Sequence, residues 1–100
     1  MKRYIILCLL ITSNAYSYTQ QQALVEKLGV QGDSIYLSIS LPLLTNCQWN
    51  NIYFNNTSNF GKAAYANILA AKSADKKLSR IDYSQAVAGG KCTLSLVEVK

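Results

Sequence analysis

The clearest pattern along the chain is an alternation. Ile35, Leu37, Ile39 and Leu41 are apolar, and Tyr36, Ser38 and Ser40 stand between them. A period of two predicts a strand with one face buried. Pro42 ends that strand, because proline has no N–H to give to a ladder. Ahead of it, Gln31-Gly32-Asp33-Ser34 reads as a turn. Upstream of the turn, Ala23 to Val30 admits two readings. Leu24, Val25 and Leu28 fit a short helix stopped by Gly29, or a strand with an irregularity at Lys27 that pairs through the turn. A lone helix of two turns is marginal, so the strand is preferred.

The second half of the chain mixes both periods. Asn51 to Asn55 holds Ile52, Tyr53 and Phe54 between asparagines, which predicts a short strand bounded by turns. Thr57 or Ser58 is a suitable N-cap for a helix over Asn59 to Ser73. There Phe60, Ala64, Ile68 and Ala71 recur at helical spacing, and five alanines favour the helix. Leu78 to Ser84 predicts a strand with Ile81 and Tyr83 on one side and Arg80 and Asp82 on the other. A loop around Gly89-Gly90 leads to a last strand, Cys92 to Val99. Its pattern places Cys92, Leu94 and Leu96 on one face and Val97 and Val99 on the other.

The predicted order is β-β-β-α-β-β, so the fold class is α+β and mainly β. Five short strands with a helix after the third match an OB-like barrel, or a strongly curved antiparallel sheet with the helix packed on it. In the barrel, the helix closes one end and buries Phe60, Ala64 and Ile68. The rival is a plain sandwich of one helix on an open antiparallel sheet.

The N-terminus has a different logic. Lys2 and Arg3 precede an unbroken apolar run from Tyr4 to Ile11, and Ala15-Tyr16-Ser17 follows a short polar stretch. Eight residues are too few for a membrane-spanning helix, which needs roughly 20. A basic start, a short apolar core and a small-x-small ending predict a signal peptide over residues 1–17. The mature domain is then 18–100, without a transmembrane segment, exported to the periplasm or secreted. Cys8 lies inside the apolar core without the small residues a lipoprotein site requires, which argues against lipidation.

Removal of that segment changes the composition. The whole chain has 100 residues and a net charge of +5. Beyond residue 17, eight basic side chains face five acidic ones, a net +3, and three cysteines become two. An even pair in an exported chain predicts a disulfide between Cys47 and Cys92. Closing a loop of 44 intervening residues stabilises the fold by about 4 kcal/mol on the chain-entropy model. That is substantial for so small a core.

Chemistry is sparse. The chain has no histidine, the usual general base and neutral metal ligand. Glu26, Asp33, Asp75, Asp82 and Glu98 form no close sequence pair, and no nucleophile motif, metal-ligand spacing or phosphate-cradling glycine loop is present. The reading is therefore of a protein that is not an enzyme and carries no cofactor or metal. Lys72, Lys76, Lys77, Arg80 and Lys91 are the one basic concentration. They suit an anionic partner, or simply a solvated helix end whose dipole favours cations. Export argues against nucleic acid.

Trp49, Asn50 and Asn51 are the ligand-binding candidates. An indole stacks on a sugar face while asparagine amides reach hydroxyls. The other reading, preferred from the residues alone, is that Trp49 is partly buried core beside the disulfide. The function expected is a binding module for a glycan or an exported protein, free to oligomerise. A small inhibitor or accessory subunit of an exported enzyme or toxin is the alternative.

Gly61-Lys62-Ala63-Ala64-Tyr65-Ala66-Asn67-Ile68-Leu69-Ala70-Ala71-Lys72, then Lys76-Lys77-Leu78 and Cys92, resembles a family of small, uncharacterised exported bacterial proteins. Cys47 and Cys92 match that family's two cysteine positions, and the resemblance runs from about Ala23 to Val99. It implies export and fold more than activity. Size and strand order are also similar to the pentameric OB-fold B subunits of bacterial A–B toxins, which bind glycans, although no matching sugar-binding motif is present.

Overall fold

The computed structural model describes residues 16–100. The expected signal peptide lies outside the described residues, except for Tyr16 and Ser17. Six strands and one helix follow in order. They are β1 (Tyr16–Ala23), β2 (Val25–Gln31), β3 (Ser34–Ile39), β4 (Ile52–Asn55), α1 (Asn59–Ser73), β5 (Leu78–Gln85) and β6 (Cys92–Val99). A short 3₁₀ turn, Gln48–Asn50, precedes β4.

The sheet order is β1-β5-β6-β4-β3-β2. Neighbours are antiparallel except β4 and β6, which run parallel. The α+β, mainly β class therefore holds. The five-stranded barrel or antiparallel sheet is corrected to a six-stranded mixed sheet whose ladder does not close. Residues 25–31 take the strand form, with a bulge between Val25 and Lys27.

The added strand is β1. No apolar alternation marks it, because polar Gln20 sits between the inward residues Tyr18 and Ala23. Gln20 is buried; its Nε2 donates to Pro42 O (2.9 Å) and its Oε1 accepts from the Tyr83 hydroxyl (2.6 Å). A buried amide with both ends satisfied replaces an apolar side chain at small net cost.

β1 and β2 occupy the two edges of the sheet, yet only Leu24 separates them in the chain. The sheet must curl strongly for its edges to come so near. Gln22, with φ 58°, lies at the bend. Ser40 holds the join: its N–H donates to Leu24 O (2.9 Å) and its Oγ accepts from Leu24 N–H (3.1 Å).

The core lies inside this curl. Ile35, Leu37 and Ile39 of β3 meet Ile52 and Phe54 of β4, Ile81 and Tyr83 of β5, and Cys92 and Leu94 of β6. Helix α1 packs on β6 and β2. Ser58 caps it, accepting from Gly61 N–H at 2.9 Å, which satisfies one of the free donors of the first turn. Its buried stripe is Gly61, Ala64, Ile68 and Ala71. Phe60, expected in that stripe, is 41% exposed. Ala64, Ile68 and Ala71 lie as expected, and only the first position differs: Gly61 replaces Phe60 because the helix touches backbone there, where a Cβ would overlap Asn55 O.

β6 also departs from its predicted facing. Its register to β5 shifts between Asp82 and Tyr83, pairing Asp82 with Leu96 but Tyr83 with Leu94. The extra residue reverses the alternation. Cys92 and Leu94 point inward before the bulge, and Val97 and Val99 pack against the core after it.

Cys47 and Cys92 form the disulfide, both nearly inaccessible. No described helix is long and apolar enough to cross a membrane.

Candidate functional site

The outward face of β2, β3 and β4 carries a different set of residues from the core face. Tyr36 pairs across the ladder with Gly29 on one side and Tyr53 on the other. By strand alternation, these residues oppose Ile35, Leu37, Ile52 and Phe54. Gly29 has no side chain, and the Tyr36 ring lies across the space a Cβ would fill. The Tyr36 and Tyr53 rings are 6.0 Å apart.

Trp49 extends this row from the turn before β4. Its indole meets Tyr53 edge-on, with centroids 6.2 Å apart and planes at 65°. It is 65% exposed, so the preferred reading of an indole partly buried beside the disulfide is corrected. Trp49 and Asn50 both have positive φ, 58° and 57°. The left-handed region costs an L-residue roughly 1–2 kcal/mol, so the surrounding structure must impose it.

Those constraints can be named. The disulfide anchors Cys47, and Asn50 N–H donates to Cys47 O at 2.9 Å. Gln48 N–H donates to Gly90 O at 3.0 Å. Gln85, almost wholly buried, donates from one Nε2 to both Asn46 O and Gly90 O, each at 2.9 Å, and its Oε1 accepts from Thr45 Oγ1. Gln85 thus ties the loop before Trp49 to the loop before Lys91.

Lys91 completes the row. The parallel pairing of Ile52 with Cys92 brings the residues just before each strand together. Lys91 Nζ sits 4.9 Å from the Tyr53 ring centre and 5.7 Å from that of Trp49. Such contacts are worth about 0.5–1 kcal/mol at exposed sites.

Lys27, Tyr36, Trp49, Asn51 and Tyr53 are the principal walls of an open groove of about 560 Å³. Asn51 is 8% exposed, and its Oδ1 is buried without a hydrogen-bond partner. The only other such side-chain atom among the described residues is Ser38 Oγ. An unsatisfied buried acceptor costs about 1–3 kcal/mol. Stacking surface, an amide and ammonium groups suit holding a ligand.

Of the three candidates, Trp49 and Asn51 line the groove, whereas exposed Asn50 shapes the turn beneath it. Tyr36, Tyr53 and Lys27 escaped sequence reasoning, and Lys91 entered it only as part of the basic concentration, not with Trp49. Their signal was the outward parity of Tyr36 and Tyr53, which is informative only once register is known.

The basic concentration also divides. Arg80 pairs with Glu98 on the β5–β6 ladder, whereas Lys91 precedes Cys92, the partner of Gln85 at the opposite end. Arg80 is already engaged with Asp82 at 2.9 Å, the one ion pair among the described residues. Its hydrogen bond holds the Asp82 carboxyl below the usual carboxylate range.

No protein-family profile, curated protein or solved structure matches the chain.

Proposed function

We propose that the protein is an exported, non-catalytic binding module that holds a glycan in the groove between Trp49, Tyr53 and Tyr36. One observation carries this reading. Three exposed or half-exposed aromatic rings line one groove with a buried, unpartnered amide oxygen. Pyranose rings offer apolar faces for stacking and hydroxyls for hydrogen bonding, and pockets of this kind combine apolar surface with few polar groups. The Asn51 amide would turn into the groove on binding and accept from a sugar hydroxyl.

The scaffold in this proposal is a strongly curled, OB-like sheet. β1 and β2 act as one bent strand that pairs with β5 through its first half and β3 through its second. The β4–β6 pair joins the two arms in the parallel sense. The disulfide supports export, because such bonds persist in oxidising compartments.

Cleavage after Ser17 would remove Tyr16 and Ser17, which pair with Gln85 and Ser84. Ser13-Asn14-Ala15 also ends small-x-small, and cleavage there keeps both pairings.

A broad glycan array tests the function, with W49A as the control. Wild type should bind one glycan class, and W49A should lose about tenfold or more in affinity, the scale of one stacked ring. Trp49 is the sole tryptophan, so its fluorescence reports binding directly. An array without signal above background overturns the proposal.

A further inference from the structure

The groove carries charge as well as aromatic surface. Lys27 stands on its wall, and Lys91 lies over two of its rings. Neither is paired with a carboxylate, since Arg80–Asp82 is the one ion pair among the described residues. No acidic residue lines the groove. Of the five acids beyond residue 17, Asp82 is engaged by Arg80 and Glu98 accepts from Ser79 Oγ at 2.8 Å. Both lie on the β5–β6 hairpin. Two ammonium groups beside stacking rings, with no carboxylate on the groove wall, raise the local concentration of anions.

We infer that the groove binds an anionic sugar, a pyranose bearing a carboxylate or a sulfate, which Lys27 and Lys91 receive while the ring stacks on Trp49. This rests on the glycan reading and narrows it. Lys91 keeps its contact with the rings from one side and offers N–H donors to the anion from the other. The Asn51 oxygen takes a hydroxyl, because an acceptor there repels a carboxylate. The three polar roles are thus divided between anion receptors and one hydroxyl receptor.

Four related probes separate the possibilities: sialyllactose, its methyl ester, sulfated lactose and lactose, each followed by Trp49 fluorescence. At least one anionic probe should bind about tenfold or more tightly than the ester and lactose, as a charge-assisted hydrogen bond implies. Its advantage should shrink as salt rises. K27M/K91M should bring it down to the level of lactose while the thermal midpoint stays near wild type. The acid and sulfate arms distinguish the two anions. Equal binding of acid, sulfate, ester and lactose overturns the anionic inference and leaves the glycan reading intact. Neutral array hits with silence from both anions do the same. Silence across both the array and all four probes removes the glycan reading itself.

Discussion

Two glycines mark the two sides of this molecule. Gly61, in the first turn of α1, faces the backbone oxygen of Asn55. Gly29, on the outer face of β2, faces the far end of the Tyr36 side chain. Both leave room for a close approach, yet they protect different things. On the helix side, that approach sets Ala64, Ile68 and Ala71 into the core, with the helix capped by Ser58. On the groove side, it lets an aromatic ring lie flat at the surface. Around it, the local rules fail together: two consecutive residues are left-handed, a tryptophan is exposed and an amide oxygen is unpaired. Consistent local choices specify a fold, and clustered violations mark the region shaped for something else.

The disulfide is the largest lever on this contrast, because it belongs to both sides. Its sulfurs lie in the core, but Cys47 anchors the Trp49 turn and Cys92 follows Lys91. C47S/C92S should lower unfolding stability by about 4 kcal/mol, read from denaturant unfolding with the slope fitted separately, because the freed unfolded chain exposes more surface. The groove should fail first. Amide exchange under native conditions should show 45–51 and 86–91 opening more readily than α1, whose cap and buried stripe do not involve the bond. Uniform loosening of both regions would break the comparison.

The glycines themselves give the next effects. G61A drives a Cβ into fixed backbone, so α1 must shift and its stripe repack, at about 3 kcal/mol. G29A drives a Cβ into the tip of a side chain that can swing away, so it should cost about 1 kcal/mol or less. Binding should reverse the ranking. G29A displaces the Tyr36 ring and should lose the ligand, whereas folded G61A should retain it. Paired thermal melts and fluorescence titrations measure both orders. Matching stability losses would mean that the Tyr36 ring is held in place as firmly as the helix backbone.

The same division governed what could be read from the chain. β3, β4, β5 and α1 announce themselves, because each buries one apolar face and alternation or helical spacing records that face. β1 is silent because Gln20, between inward Tyr18 and Ala23, is held through hydrogen bonds, which leave no mark in an apolar pattern. β6 misleads beyond Leu94 because one bulge residue reverses the alternation. At the groove, Trp49 and Asn51 stand out as residue types. Tyr36, Tyr53 and Lys91 do not, since they meet only through the β3–β4 pairing and the parallel β4–β6 register. Those pairings are long-range facts. The Ser40–Leu24 hydrogen bonds that hold the bend between β1 and β2 are another.

The smallest effect tests the strain directly. Asn50 is exposed and left-handed, and it does not line the groove. Glycine adopts that conformation freely. If the turn is held against local preference, N50G should stabilise the protein by up to about 1 kcal/mol, an increment offset in part by the greater freedom glycine gives the unfolded chain. Binding should change little, because the indole keeps its edge contact with Tyr53 and the anchors at Cys47 and Gln48 remain. A rise in thermal midpoint with affinity retained would place the strain in the backbone that carries Trp49, and not in the contact with ligand. A loss of affinity at unchanged stability would instead give Asn50 a direct contact with ligand. The groove's polar equipment would then extend beyond the wall that Asn51 and the lysines define.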